Sequence, residues 1–499
     1  MTAETVPAAR PSEPAAARVA VIGGGITGLS AAHHLLEIAP ESQVTVFEAT
    51  GRTGGVFGTE RIGEYLIETG ADSFITNKPY ALDLCRRLGL EDHLIPTDAT
   101  YRRSLILHNG RPVSTPDGFN LMVPARIGPI LTTPLLSPLG KLRLGLEYFL
   151  PRRSANGDES LASFARRRLG QQTLDRIVQP MVGGIYTSDP EKLSLAATLP
   201  RFLDMEREHG SLIRAALKQR RAQRGKPDAE SNASGARYGL FASLKNGMSE
   251  LLDALTDRLA QQNALRINSA VVSLEPAHEA NRSGYSVGLA DGTTQHFDAV
   301  ILALPAYRAA DLIDGWNREL AEALRDIEYA SSAIMVSGHR LEDIRHPLDA
   351  FGLVIPHLEQ RQILAVSFLS RKFPGRAPEG HVILRTFIGG ALQPELLEQS
   401  DDDLVPMVLD ELRDILGVQG QPDFVRVARW HRKMPQYHVG HLDRVRRIEA
   451  LADRSPGLFV AGNAYHGVGL PDCIRSGEQA AVRVSEAVAT SPTSTPNNS

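Results

Sequence analysis

RVAVIGGGITGLSAAHHLLEIA, residues 18–39, decides the fold. It opens with a short apolar run of strand length that ends on glycines, and ITGLSAAHHLLEIA then keeps helical spacing. QVTVFEA, residues 43–49, is a second strand, so the stretch reads as one βαβ unit of about 30 residues. Gly23, Gly25 and Gly28 satisfy G-x-G-x-x-G. The first makes a tight turn, the second lets backbone approach a pyrophosphate, and the third lets helix and strand pack closely. Ile26 and Thr27 lie where first-turn N–H groups face an anion. Glu48, twenty residues past Gly28 at the end of the second strand, is placed to accept from ribose hydroxyls. A carboxylate there disfavours a 2′-phosphate, which leaves NAD or FAD.

The same pattern returns near the other terminus. GLFVA leads into GNAYHGVGLPDCIRSG, residues 462–477, and a helical pattern follows. Strand, glycine loop and helix again offer backbone N–H groups to an anion, here from around Val468, Gly469 and Leu470. Asp472 is expected to cap the helix and Cys473 to serve packing. Two such units at opposite ends imply a cofactor domain assembled from separated pieces.

The chain of 499 residues is 42% hydrophobic and 22% charged, ordinary for a globular protein of roughly three domains. A net charge of −4 gives no reason to expect nucleic acid, and two cysteines form no disulfide framework. Residues 1–17 and 490–499 read as disordered tails, and no apolar stretch reaches the roughly 18 residues a membrane span needs. Prolines punctuate short apolar helices from residue 113, which starts a helical insertion ending in the basic run RAALKQRRAQRGK, residues 214–226. The fold class expected is α/β (α+β overall).

ATGRTGG, residues 49–55, separates the two dinucleotides. GxGxxG, an acidic strand end and this turn resemble the FAD-binding start of the flavin amine oxidase and porphyrinogen oxidase superfamily. ETGADSF (68–74), SLKNGMSELLDAL, SAVVSLE and DAVILALP match further superfamily segments. GGIYTSDPEKLSLAATLP, FGLVIP, SFLSRKFPGR and WHRKMPQYHVGHLDRV resemble the oxygen-dependent protoporphyrinogen oxidases and their relatives, the coproporphyrinogen oxidases. The likeness covers nearly all of residues 18–489. Ser188 stands where the family often has a smaller residue.

The resemblance implies a discontinuous Rossmann-type FAD domain (18–90, 235–304, 430–489), a mixed-sheet substrate domain (91–112, 305–429) and a helical domain (113–234). It implies FAD contacts at Ala49, Arg52, Gly54 and Gly55, at Gly70, Ala71, Asp72 and Ser73, at Val272 for the adenine, and at Trp430. Gly462 and Asn463 fall near the ribityl and diphosphate, ahead of Val468, Gly469 and Leu470 at the flavin's redox edge.

The implied reaction takes a porphyrinogen to a porphyrin, with hydride passing to flavin N5 and dioxygen reoxidising the flavin to give hydrogen peroxide. Protoporphyrinogen IX is the first expectation and coproporphyrinogen III the alternative. Arg103, with Arg102 as alternate, is expected to meet a substrate propionate, and Phe351, Gly352 and Phe368 to line an apolar pocket. No side-chain base is assigned. His431, His438 and His441 show no metal-ligand spacing, so no metal is expected. An amine oxidase or desaturase would share the FAD segments but not MPQYHVGH, and a non-catalytic FAD-holding partner protein is the competing class. A cytoplasmic location, peripheral contact with the inner face of the cell membrane, a homodimer and hand-off to a haem-pathway chelatase complete the expectations.

Overall fold

The computed structural model describes residues 16–124, 126–153, 157–223, 241–279 and 282–490. Most of the expected leader, the tail beyond Thr490, and the end of the basic run with the polar loop after it lie outside the described residues. Five parallel strands form the cofactor-side sheet, in the order Leu265–Arg266, Gln43–Phe47, Arg18–Ile22, Ala299–Leu302 and Leu458–Val460. Ile22 pairs with Phe47 and Leu302, and Leu302 with Val460, so four strands end level. Both glycine loops therefore leave the same carboxyl edge, one strand apart, which is roughly 10 Å at the usual strand spacing. Ligands of open α/β sheets bind along that edge.

Helix Ile26–Ile38 follows the first loop and buries Leu29, Ala31, Ala32 and Leu35. The C-terminal helix Leu470–Thr490 lies against it at Gly477, where a Cβ would stand 2.3 Å from the Thr27 carbonyl oxygen. The beginning and end of the chain are thus one packed layer.

A second core joins Ala20, Ile22 and Val300 to helices Ala306–Ile313, Arg318–Arg325 and His441–Asp453. This corrects the expected start of the substrate domain at 305. The alanine-rich faces of the first two helices (Ala306, Ala309, Ala310, Ala321, Ala323) pack closely on the cofactor side instead.

The substrate-side sheet has seven strands, ordered Phe424–Pro435, Tyr329–Arg340, His381–Gly389, Ala365–Phe368, Gly352–Val354, Ser104–His108 and Arg111–Ser114. Its last-in-sequence strand runs on past residue 430, from Phe424 opposite Gly338 to Pro435 opposite Tyr329, with a bulge between Trp430 and Met434. The domain boundary expected at 430 therefore falls after Pro435. Helix Asp401–Leu416 covers one face with Leu404, Val408 and Leu412.

Short helices between Ile127 and Gln223 build the insertion around Phe164, Ile177, Phe202 and Leu212. Inside it, Arg168 and Glu147 pair with both side chains fully buried. Glu147 also accepts from Ser211 Oγ (2.6 Å) and from the Leu212 and Ile213 amides (2.9 and 3.1 Å). The carboxylate thereby satisfies free donors at the start of helix Leu212–Gln223. Among the described residues no helix is long and apolar enough to cross a membrane.

Candidate active site

The three glycines of the first loop differ in what they answer to. Gly23 has φ +115°, and a Cβ there would lie 2.4 Å from the Ala303 oxygen. At Gly28 a Cβ would lie 1.9 Å from the Gly23 oxygen. Gly25 is extended (φ −76°, ψ 175°), and among the described residues nothing beyond its chain neighbours lies within 4 Å of its Cβ position. It precedes helix Ile26–Ile38, and no side chain caps that end. Space and unpaired first-turn amides at the same point form an anion cradle.

Glu48 stands over this loop. Its Oε2 accepts from the Gly24 amide (2.9 Å), and its Oε1 from the Thr50 amide (2.9 Å) and hydroxyl (2.7 Å). The carboxylate is locked in place with acceptor capacity left for a ribose. Ala49 beside it is exposed. The second turn faces the first loop: Gly54 donates to the Gly24 carbonyl (2.8 Å), and a Cβ on Gly55 would stand 3.6 Å from Gly25 Cα. Arg52 donates to the carbonyls of Phe57 (2.8 Å) and Gly55 (3.0 Å). Those bonds give its guanidinium the structural task of closing the turn. Val272 is the extra residue of a β-bulge and is 59% exposed, an apolar side chain presented at the sheet margin.

Segment 68–73 joins the two sheets. The Trp430 indole donates to the Thr69 carbonyl (2.9 Å), and Arg385 donates to the carbonyls of Glu68 (3.0 Å) and Gly70. Gly70 admits no side chain, since a Cβ would sit 1.9 Å from the Val56 oxygen. Asp72 meets Lys372 (3.0 Å), Arg385 (2.8 Å) and the Ser73 hydroxyl (2.7 Å). Although burial opposes ionisation, these partners hold its carboxyl well below the usual range. Ala71 is half-buried between them.

Glu68 behaves oppositely. It is fully buried, and burial raises its pKa to about 7 despite bonds from the Met248 amide and Thr59 hydroxyl (2.8 Å each) and the nearby charges of Arg376 and Arg385. An unfolded glutamate titrates near 4.5. The folded chain thus binds this proton more tightly, and its advantage is lost as pH rises from about 4.5 to 7. Glu68→Gln is expected to flatten the fall in unfolding midpoint across that window, measured by thermal unfolding at a series of pH values.

The closing loop carries its own constraints. Gly462 (φ +140°) donates to Ser476 Oγ at 2.9 Å. Gly467 (φ +144°) leaves room for Asp472, whose Cγ would stand 2.5 Å from a Cβ there. Asp472 pairs with Lys78 (2.6 Å). The helix begins at Leu470, so Asp472 lies in its first turn and is not the N-cap expected. Pro471, which has no N–H to leave unpaired, suits that first turn. Cys473 is buried, as a packing residue should be. Val468 and Tyr186 of the insertion pack with Val354 of the substrate-side sheet against one core, so all three parts of the chain meet here. Asn463 gives its carbonyl to the Tyr437 hydroxyl (2.6 Å).

On the substrate side, Arg103 is half-exposed and paired with Asp349, at 2.6 Å to the carboxylate and 2.6 Å to the carbonyl. Phe368 is fully buried in the core under helix Asp401–Leu416. Its side chain therefore does not line a pocket, contrary to expectation. Alternation along the strand places Ala365 and Ser367, not Phe368, on the face bearing Arg385. Phe351 is also buried, and a Cβ on Gly352 would stand 2.4 Å from the Val366 oxygen, so that glycine serves strand packing. An open cleft of about 690 Å³ lined by Tyr65, His381 and Asp423 holds none of the expected site residues. Among the described residues no three His, Cys, Asp or Glu side chains gather around a metal position.

Residues 26–485 match the family described as flavin containing amine oxidoreductase. The chain belongs to that family. The coproporphyrinogen III oxidase of Propionibacterium freudenreichii subsp. freudenreichii is 36% identical over 96% of this chain and 92% of its own. The protoporphyrinogen oxidase 2, chloroplastic/mitochondrial, of Arabidopsis thaliana is 30% identical over 93% of each. A crystal structure from Exiguobacterium sp. 255-15 superposes with a TM-score of 0.81 at 28% identity, covering 94% of this chain and 98% of its own. The flavoenzyme is an FAD-dependent oxidoreductase, and its residues fit that cofactor. Gly25 leaves open space for a pyrophosphate, Glu48 offers an acceptor beside it, and the closing helix starts at the same sheet edge. Two features carried no local sequence signal: Lys78 gripping Asp472, and Lys372 with Arg385 gripping Asp72.

Proposed function

We propose that this flavoenzyme oxidises coproporphyrinogen III to coproporphyrin III in haem synthesis, with dioxygen as acceptor. Near-full-length likeness carries the reading, at 36% to a coproporphyrinogen III oxidase against 30% to a protoporphyrinogen oxidase. This reverses the first expectation from sequence, which put protoporphyrinogen IX ahead. FAD, when bound, supplies the hydride acceptor for each of three two-electron rounds. The chain's own residues hold and orient. Amides from Val468 to Leu470, at a helix N-terminus, stabilise negative charge opposite them. Segment 69–73, tied to the substrate-side sheet through Arg385, Lys372 and Trp430, keeps the two halves of the site in register.

Coproporphyrinogen carries two propionates where protoporphyrinogen carries two vinyls, so extra cations favour it. Arg103 suits that task because an exposed ion pair such as that with Asp349 is worth only about 0–1 kcal/mol and yields readily to a substrate carboxylate. The test is a parallel assay of both porphyrinogens by porphyrin fluorescence. Coproporphyrinogen should give at least tenfold higher kcat/KM. The opposite preference reverses the substrate assignment, and no fluorescence from either removes the reading.

We also propose peripheral contact with anionic lipid through the insertion. Leu131, Leu139, Leu142 and Phe149 are each exposed, and Arg214 stacks on Tyr148 at 4.7 Å. Failure to float with anionic vesicles rules this out. Release of product to a chelatase belongs to the same proposal, since a free porphyrin must next meet metal insertion.

A further inference from the structure

The family-specific block MPQYHVGH has had no role so far, yet two of its side chains hold the closing loop. The Tyr437 hydroxyl accepts from the Gly467 amide (2.8 Å) and donates to the Asn463 carbonyl (2.6 Å). One buried hydroxyl thereby closes a turn across its ends. The imidazole of His441 stacks on the Tyr437 ring, with centroids 3.8 Å apart and planes at 14°, and its Nε2 bonds the Tyr465 carbonyl at 3.0 Å. Three backbone groups of the loop immediately before Val468 are thus held by two side chains packed as a unit.

That unit is in turn fixed to the helical insertion. The Ser194 amide donates to the Tyr437 carbonyl (2.7 Å), and the Val439 amide to the Lys192 carbonyl (2.8 Å). Ser188 donates to Gln436 (2.6 Å), and the Gly440 amide to Asp158 (3.0 Å). Among the described residues the insertion and the loop share no comparable direct network of bonds; residues 436–441 stand between them.

We infer that Tyr437, braced by His441, is a positioning residue that sets where the Val468, Gly469 and Leu470 amides stand and so tunes the flavin's reduction potential. The inference rests on the FAD-enzyme reading above. Charge adds nothing to this device. Burial pushes the Tyr437 phenol well above its ordinary pKa and pulls the His441 imidazole down to about 4, so both stay neutral near pH 7. What they supply is geometry, and a donor displaced by a fraction of an ångström loses much of its hold on developing charge.

Tyr437→Phe keeps the buried ring and the stack while deleting both loop bonds. In the FAD-loaded full chain the flavin midpoint potential should fall, with reduced flavin disfavoured several-fold relative to wild type; a tenfold change is about 30 mV for a two-electron couple. FAD should also dissociate several-fold more readily from protein reconstituted after stripping. The kcat should drop with KM little changed. An unchanged potential, even alongside a lowered unfolding temperature, makes Tyr437 merely structural and overturns the inference. His441→Gln is the second variant and should shift the potential in the same direction by less. A wild-type chain that takes up no FAD would sink the enzyme reading itself, a result distinct from wild-type binding with an unaltered Tyr437→Phe.

Discussion

A Gly25→Thr chain is expected to match the wild-type apoprotein in thermal stability yet bind FAD roughly 5- to 150-fold more weakly, the range set by about 1–3 kcal/mol of overpacking. Gly25 has ordinary extended dihedrals and, among the described residues, no atom beyond its chain neighbours within 4 Å of its Cβ position. Threonine is about as good an N-cap as glycine, so the helix behind it loses nothing. The added atoms enter only the space that a pyrophosphate needs. Gly28→Ala reverses the pattern. Its methyl would fall 1.9 Å from the Gly23 oxygen, so the apoprotein itself should be destabilised. Isothermal titration with FAD and calorimetry of both stripped variants separate the two cases. Equal FAD affinity in Gly25→Thr would mean the cradle is not the pyrophosphate site.

Arg168→Met is expected to cost about 3–5 kcal/mol, the usual consequence of stranding one member of a buried ion pair. Glu147 would remain fully buried, its Arg168 partner gone, still pointed at the donors that start helix Leu212–Gln223. Adding Glu147→Gln should recover a good part of the loss, because the amide keeps an acceptor for those donors without the charge. Chemical denaturation followed by far-ultraviolet circular dichroism checks both. A loss below about 1 kcal/mol in the single variant would show that water reaches the carboxylate.

What was legible in the sequence followed locality. The first loop, Glu48 and the closing strand–loop–helix are each set by neighbours in the chain, and all stand at one sheet edge as expected. Phe368 was misplaced because alternation along a strand tells which residues share a face, not which face helix Asp401–Leu416 will cover. Asp349, the partner of Arg103, is 246 residues away, beyond any periodic signal. Helices 306–325 read as the start of a new domain because small alanines carry little hydrophobic contrast, although they suit close packing. MPQYHVGH was conspicuous as a signature, but its purpose lies in bonds to a loop 26–30 residues on.

The level carboxyl edge of the five-stranded sheet has a consequence for biosynthesis. Its last strand, Leu458–Val460, and the helix beginning at Leu470 come late in the chain, the helix start 442 residues (470 − 28) after Gly28. At about 5–20 residues per second that delay is on the order of 20–90 s. Throughout it the nascent first loop has no partner for helix Ile26–Ile38 on the face that Gly477 will later fill. The face of helix Ile26–Ile38 that Gly477 fills is therefore completed only once helix Leu470–Thr490 has been made.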